Sequence, residues 1–281
     1  MSRLSCSAGI ALAALGLGLM HPAQAQTTII AQDNANDTAY NSGAFNGFNG
    51  GTGFNAFSVV NNLNTSVGSF IATGSPIGSG TSNKAFNLYN YNGQGVSTID
   101  AVRSFNFTNV GTVTTPLTVG STFSTDFKNH YIDSGGFVGY TLRDTTGTTL
   151  FKFGFIGGGS AYTYGDGTTT SSTLLGFTDN GLHTDFTLTS PTNYSFSVLR
   201  LGDASPTVFM GTLGTGGAID RVVFSDIGGG NSSDTQFNNL AVTMPNASAA
   251  PEPSQTAYLA FTMFGLAALI LKARRRSSNA V

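Results

Sequence analysis

FVGYTLRDTTGTTLFKFGFI, residues 137–156, is the stretch that decides the fold. Phe151, Phe153 and Phe155 alternate with Lys152 and Gly154. A period of two places every second side chain on one face of an extended strand. Asp144-Thr145-Thr146-Gly147 interrupts the pattern. Aspartate opens turns with its own side chain, and glycine accepts the left-handed backbone that tight turns need. The stretch therefore predicts a hairpin with arms Phe137–Arg143 and Leu150–Ile156, joined through Asp144–Thr149.

The same alternation recurs on either side. Phe123, Thr125 and Phe127 alternate with Ser124 and Asp126, and Phe186 and Leu188 with Asp185, Thr187 and Thr189. Phe196 and Val198 alternate with Ser195 and Ser197, and Phe105 and Phe107 flank Asn106. Each reads as a strand with one buried and one wet face. Arg221–Asp226 and Phe237–Val242 add two strands across a Gly/Asn/Ser-rich loop. Turn signals at Ser134–Gly136, Gly157–Gly159, Asp179–Gly181 and Gly228–Gly230 punctuate the series. Roughly a dozen short strands at this spacing predict an all-β sandwich with no amphipathic helix.

Composition fits that class. The 281 residues include 37 Gly and 22 Phe, no Trp, and one Cys, Cys6. Between Gln26 and Ala250 there are seven Lys/Arg, thirteen Asp and no Glu, so this part carries 7 − 13 = −6. A mildly acidic surface without a basic stripe argues against a nucleic-acid partner.

The two ends read as addresses. Residues 1–25 have the form of a secretory signal peptide: Arg3, an apolar core from Ile10 to Met20, then Ala23-Gln24-Ala25. Small residues at Ala23 and Ala25 suit signal peptidase and predict a mature start at Gln26. The sandwich is assigned to 26–244 and a small-residue linker to 245–250. Pro251-Glu252-Pro253 follows, then an apolar run, Ala257–Leu271, interrupted by Thr262. This run predicts a transmembrane helix over about 256–272, with a lysine stem extending its reach. Lys272, Arg274, Arg275 and Arg276 form a basic stop that holds the last residues in the cytoplasm and the sandwich outside.

The triplet, helix and basic cluster of 251–281 closely resemble the PEP-CTERM sorting signal of Gram-negative bacteria. The resemblance implies recognition by exosortase, with Pro251, Glu252 and Pro253 as the recognised residues. It implies transient membrane anchoring, removal of the tail, and release to the surface of a cell that makes exopolysaccharide. The interior resembles a group of secreted bacterial jelly-roll, concanavalin-like proteins that often carry this tail. That likeness rests on Asp33-Asn34-Ala35, Asn49–Phe54, Lys84–Tyr89, Ala101–Phe105, Ile219–Val222 and the closing Asn231–Val242. It implies a fold and no settled activity.

Sites of chemistry are sparse. Glycoside hydrolysis ordinarily uses two carboxylates, and the only Glu, Glu252, belongs to the sorting motif. Asp126 and Asp133 are the substitutes at hand, though a strand-face aspartate is ordinarily just solvated. His130 and His183 have no partner at motif spacing, and no Gly-x-Ser-x-Gly elbow occurs. Calcium takes oxygen ligands. Asp33, Asn34, Asn36 and Asp37 lie near the mature start, and Asn231, Asp234 and Asn238 near the last strand. First and last strands of a sandwich are often neighbours, so the two groups could meet around calcium or simply build turns. Tyr40, Phe45, Phe48, Tyr89, Tyr91, Tyr131, Tyr162 and Tyr164 sit in Gly/Asn-rich surroundings. Their rings could stack on sugars or pack into the core.

The expectation is a secreted, non-catalytic protein of the cell surface or exopolysaccharide matrix, needing no cofactor. A lectin-like carbohydrate-binding module is the alternative, and a glycoside hydrolase the third reading.

Overall fold

The computed structural model describes residues 27–62, 66–91, 97–107, 116–228, 230 and 234–246. The predicted signal peptide with Ala23, Ala25 and Gln26, the 251–281 tail, and Asn231 lie outside the described residues. The first five strands are β1 (Thr27–Asp33), β2 (Ser58–Asn61), β3 (Val67–Ala72), β4 (Ala85–Asn90) and β5 (Thr98–Ser104). The next five are β6 (Thr122–Asn129), β7 (Phe137–Arg143), β8 (Thr149–Ile156), β9 (Tyr162–Gly165) and β10 (Thr170–Ser172). Then come β11 (Leu182–Leu188), β12 (Asn193–Arg200), β13 (Thr207–Thr212), β14 (Arg221–Ile227) and β15 (Asp234–Pro245). A 3-10 turn at Thr38–Tyr40 joins them. Among the described residues no helix is long and apolar enough to cross a membrane.

The strands make two sheets. One runs β13-β12-β11-β6-β15-β4-β3, with β1 also paired to β15; the other runs β10-β9-β8-β7-β14-β5-β2. The chain crosses between sheets at β1–β2, β2–β3, β4–β5, β5–β6, β6–β7, β10–β11, β13–β14 and β14–β15, which gives the jelly-roll sandwich its winding. The last two strands enter the middles: β14 between β7 and β5, β15 between β6 and β4. Both sheets therefore close only when the C-terminal strands arrive, and such long-range pairing is slow to form.

Phenylalanine fills the space between the sheets. Phe224 of β14 and Phe237 of β15 stack at 3.8 Å with planes 5° apart. Phe151 meets Phe186, Tyr194 and Phe196 at 4.8, 4.9 and 4.9 Å. Such ring pairs add about 0.5–1.5 kcal/mol each beyond the area they bury. Two phenols reach across the core. Tyr140 Oη donates to Thr184 Oγ1 at 3.0 Å, and Tyr162 Oη to Asn129 Oδ1 at 2.7 Å. Burial pushes both hydroxyls well above the usual phenol range, so both stay protonated donors.

The 137–156 hairpin forms as the alternation predicts. Phe137 pairs with Ile156 and Leu142 with Phe151, and the register shifts before Arg143. The wet face expected of the second arm is closed at Gly154, which is buried, and β7 is buried on both faces through Leu142. The cause is local. Phe137 lies outside the sheet over Gly139 and Gly154, where a Cβ would come within 2.7 and 2.6 Å of its ring. Lys152 Nζ then sits 3.8 Å from the centre of that ring. Phe105 and Phe107 also depart from the strand reading, because β5 ends at Ser104 and both rings turn into the core.

Candidate functional site

Of the calcium candidates, β1 pairing with β15 brings Asn238 beside the segment that carries Asn34. They meet as a packing hub. Asn238 Oδ1 accepts from Ala35 N at 2.9 Å, and its Nδ2 donates to Ile77 O and Lys84 O, both at 3.0 Å. Asn34 Oδ1 accepts from Asn36 N and Ser79 Oγ, and Asp37 Oδ1 accepts from Ala39 N to cap the 3-10 turn. Asp33 is fully buried in an ion pair with Arg103 and accepts a hydrogen bond from Tyr40 Oη at 2.6 Å. Its other oxygen, Oδ1, is buried without a hydrogen-bond partner. A cation at Asp33 would meet the Arg103 guanidinium there. The side chain of Asp234 is not among those described, although its strand is. Among the described residues no three His, Cys, Asp or Glu side chains converge as metal ligands.

Arg103 packs between aromatic faces, its guanidinium carbon 4.2 Å from the Phe57 ring centre and 5.3 Å from that of Phe54. Burial draws its pKa down and pushes that of Asp33 up, while their attraction opposes both. The pair, with Asn49 Oδ1 as a further acceptor, ties β5 to β1 and to the 49–57 loop.

A second charged group lies on the outer face of the eight-stranded sheet. His183 Nδ1 is 2.6 Å from Asp126 Oδ1, and its Nε2 is 3.2 Å from Asp185 Oδ1. Asp126 is therefore paired rather than merely solvated, and His183 has partners that motif spacing did not show. Asp185 lies two residues beyond His183 on one strand face, which was legible. Asp126 needed the β6–β11 register, in which it stands directly opposite His183. Asn239, at φ 50° in the β15 bulge, donates to Asp126 Oδ2 at 2.7 Å, and Ser124 Oγ donates to Asp185 Oδ1 at 2.7 Å. The hydrogen bonds to Asp126 and then Asp185 raise the His183 pKa to about 10, against its partial burial. Burial alone would raise Asp185, but the His183 and Ser124 hydrogen bonds outweigh it and its pKa falls. The cluster is thus a cation held between two carboxylates.

The cleft lies at one end of the sandwich. Its walls are the 130–136 connection, the 157–161 connection and the segment before β11. His130, Tyr131, Ile132, Ser134, Phe155 and Phe177 line it around Gly158 and Gly159, enclosing about 400 Å³. That is within the usual range for small-ligand sites. Backbone bonds Gly157 N to Gly136 O at 2.8 Å and Gly135 N to Gly157 O at 3.1 Å clamp two of the walls. Gly157 must be glycine, since a Cβ would lie 1.8 Å from Asp133 O. Phe155 forms the floor, edge-on to Tyr162 at 5.1 Å. Tyr131 is 69% exposed and Phe177 43%. Lys128 Nζ, which can only donate, lies 3.3 Å from His130 Nε2. The Asp133 carboxylate lies against Gly230, where a Cβ would come within 2.2 Å of its Oδ2.

Of the aromatic residues singled out in the sequence, Tyr40, Phe45 and Tyr162 are fully buried and belong to the core. Tyr164 packs on Phe209 at 4.6 Å. Phe48, Tyr91 and Tyr131 are exposed and Tyr89 is partly so. Phe177 was not anticipated. Its only signal is a phenylalanine stranded among turn formers in Leu175-Gly176-Phe177-Thr178-Asp179.

No protein-family model matches this sequence, and no curated protein matches it. Solved structures give distant likenesses. The CBM2 module of the evolved Dit of Lactobacillus casei BL23 phage J-1 is 10% identical, over 81% of this chain and 100% of that one, at TM-score 0.45. Domain 4 of AbnA, an extracellular GH43 arabinanase from Geobacillus stearothermophilus solved with arabinotriose, is 14% identical over 78% and 94%, at 0.41. The cellulose-induced protein Cip1 is 12% identical over 66% and 90%, at 0.40. With scores below 0.5, none of the three bears on what this chain binds.

Proposed function

We propose that this protein is an exported carbohydrate-binding sandwich of the cell surface or polysaccharide matrix, with the loop-end cleft as its sugar site. The single observation that carries the reading is the cleft. Two exposed rings, Tyr131 and Phe177, stand over a Phe155 floor, with His130 and Ser134 at hand for hydroxyl groups. Sugars present apolar C–H faces and polar rims, and amphipathic aromatic rings match the first. Export and exosortase processing rest on the sequence of the two ends, including Pro251-Glu252-Pro253 and the basic stop. The protein binds and spaces polysaccharide and does not cut it.

The test is a glycan array followed by calorimetry on the best sugar and on the host polysaccharide. Saturable binding is expected. Tyr131→Ala and Phe177→Ala each weaken it by about 1 kcal/mol, roughly five-fold in Kd. Unchanged affinity in the double variant would move the site elsewhere. Steady release of reducing ends, lost in Asp126→Asn, would favour a hydrolase.

A further inference from the structure

The outer face of the eight-stranded sheet carries a second aromatic feature, away from the His183 cluster. β3 and β4 pair so that Gly68 stands opposite Tyr89 and Phe70 opposite Asn87. Phe70, Tyr89 and Tyr91 form a continuous row. Phe70 to Tyr89 is 6.0 Å between ring centres, and Tyr89 to Tyr91 is 5.1 Å. Successive planes turn by 50° and 32°. Phe70 is 37% and Tyr91 45% exposed, although a core sandwich would bury such rings. The central ring is held in place. A Cβ at Gly68 would lie 2.4 Å from Tyr89 Oη, so the glycine makes room for the tyrosine to lie across β3.

We infer that this row is a second glycan platform, which takes an extended chain of neutral pyranose residues at least three units long. Three features on the molecule select that occupant. The ring-to-ring steps of 6.0 and 5.1 Å are close to the spacing of successive sugars in an extended chain. Each tyrosine pairs an apolar face with a hydroxyl, which matches the C–H face and polar rim of a sugar. The ladder side chains carry no charge on a part of the chain that is −6 overall, a balance that repels acidic polysaccharide. This inference deepens the carbohydrate-binding reading by adding a second, independent site. With the cleft, one sandwich would hold two chains, and linked sites gain avidity without new contacts.

The experiment is affinity electrophoresis of the whole chain in gels containing neutral polysaccharides, with their oligosaccharides of increasing length as competitors. Two double variants, Phe70→Ser/Tyr91→Ser and Tyr131→Ala/Phe177→Ala, are run beside it after their melting curves are compared. The ladder variant should lose about ten-fold in affinity for long neutral chains while keeping its affinity for mono- and disaccharides. The cleft variant should show the reverse. The chain has no Trp, so its tyrosine emission is unmasked and reads binding without mutation. A long neutral chain should change that emission in the cleft variant, and the change should vanish when the two ladder substitutions are added to the cleft variant. Unchanged long-chain affinity in the ladder variant overturns the platform, whatever becomes of the cleft. So does preference for an acidic polysaccharide, or a concentration-dependent dimer that the ladder substitutions abolish. If the ladder variant melts early, the emission change in the cleft variant decides alone, and its absence counts against the platform.

Discussion

Arg103 and Asp33 meet where neither side chain is exposed at all, whereas His183 meets Asp126 and Asp185 with 37% of its side chain open to water. Both clusters cross between strands or loops distant in sequence. The interior pair sits among Phe54, Phe57 and Tyr40, so each charge is neutralised by the other, with Tyr40 Oη and Asn49 Oδ1 as uncharged partners. The surface cluster shares its charges with solvent and salt. The same chemistry is therefore indispensable in one place and a minor aid in the other.

The strongest way to break this comparison is Arg103→Met. It removes the cation but leaves Asp33 buried beside aromatic rings, which typically costs about 3–5 kcal/mol. For a domain of this size the melting temperature should fall by about 10 °C. Urea denaturation followed by circular dichroism checks it. Adding Asp33→Asn to Arg103→Met should recover part of the loss, because the orphan charge is gone. A loss below about 1 kcal/mol in the single variant would mean that the pair is not the anchor of β1.

Asn238→Leu sharpens the contrast by removing charge from the question. This neutral amide serves Ala35 N, Ile77 O and Lys84 O, groups from two segments besides its own strand. Its loss takes that partner from Ala35 N and Ile77 O, while Lys84 O keeps the bond from Ser79 N, at about 1–3 kcal/mol for the dominant one. The expected order in chemical denaturation is Arg103→Met, then Asn238→Leu, then any His183 variant. Faster amide exchange at Ala35 should accompany Asn238→Leu and leave β12 unaffected.

What could be read in the sequence follows from what period two can encode. The alternation at Phe151–Phe155 and Phe123–Phe127 fixed which faces meet, and the 137–156 hairpin followed from its turn residues. Alternation says nothing of which strands pair across long intervals. That is why β14 and β15 entering the sheet centres, and Asp126 opposing His183, appear only with the register. Arg103 looked like one of seven ordinary surface cations, because its ion partner lies 70 residues away. Tyr131 was visible as a ring among polar residues. Phe70, preceding Ile71 in an apolar strand, was indistinguishable from core until β4 set Tyr89 and Tyr91 beside it.

The smallest effect, and the most diagnostic, belongs to His183→Gln. Glutamine keeps a donor toward one carboxylate but cannot carry charge. In the folded chain the imidazole titrates at about 10, above its ordinary 6.5. A raised pKa means that the proton binds the folded state more tightly, so the stabilisation is complete below the unfolded value. It fades as pH rises through the folded one. The stability gap between the parent chain and His183→Gln should therefore be widest near pH 6. It should narrow between about pH 7 and 10, staying below about 1 kcal/mol because the ring is over a third exposed. High salt should shrink the gap further, whereas the loss in Arg103→Met should hardly respond to salt. Comparing the two chains at each pH cancels the titration of every other tyrosine and lysine. A gap that is flat from pH 6 to 10 would mean that the imidazole contributes shape rather than charge. The two clusters would then differ in kind and not merely in their exposure to water.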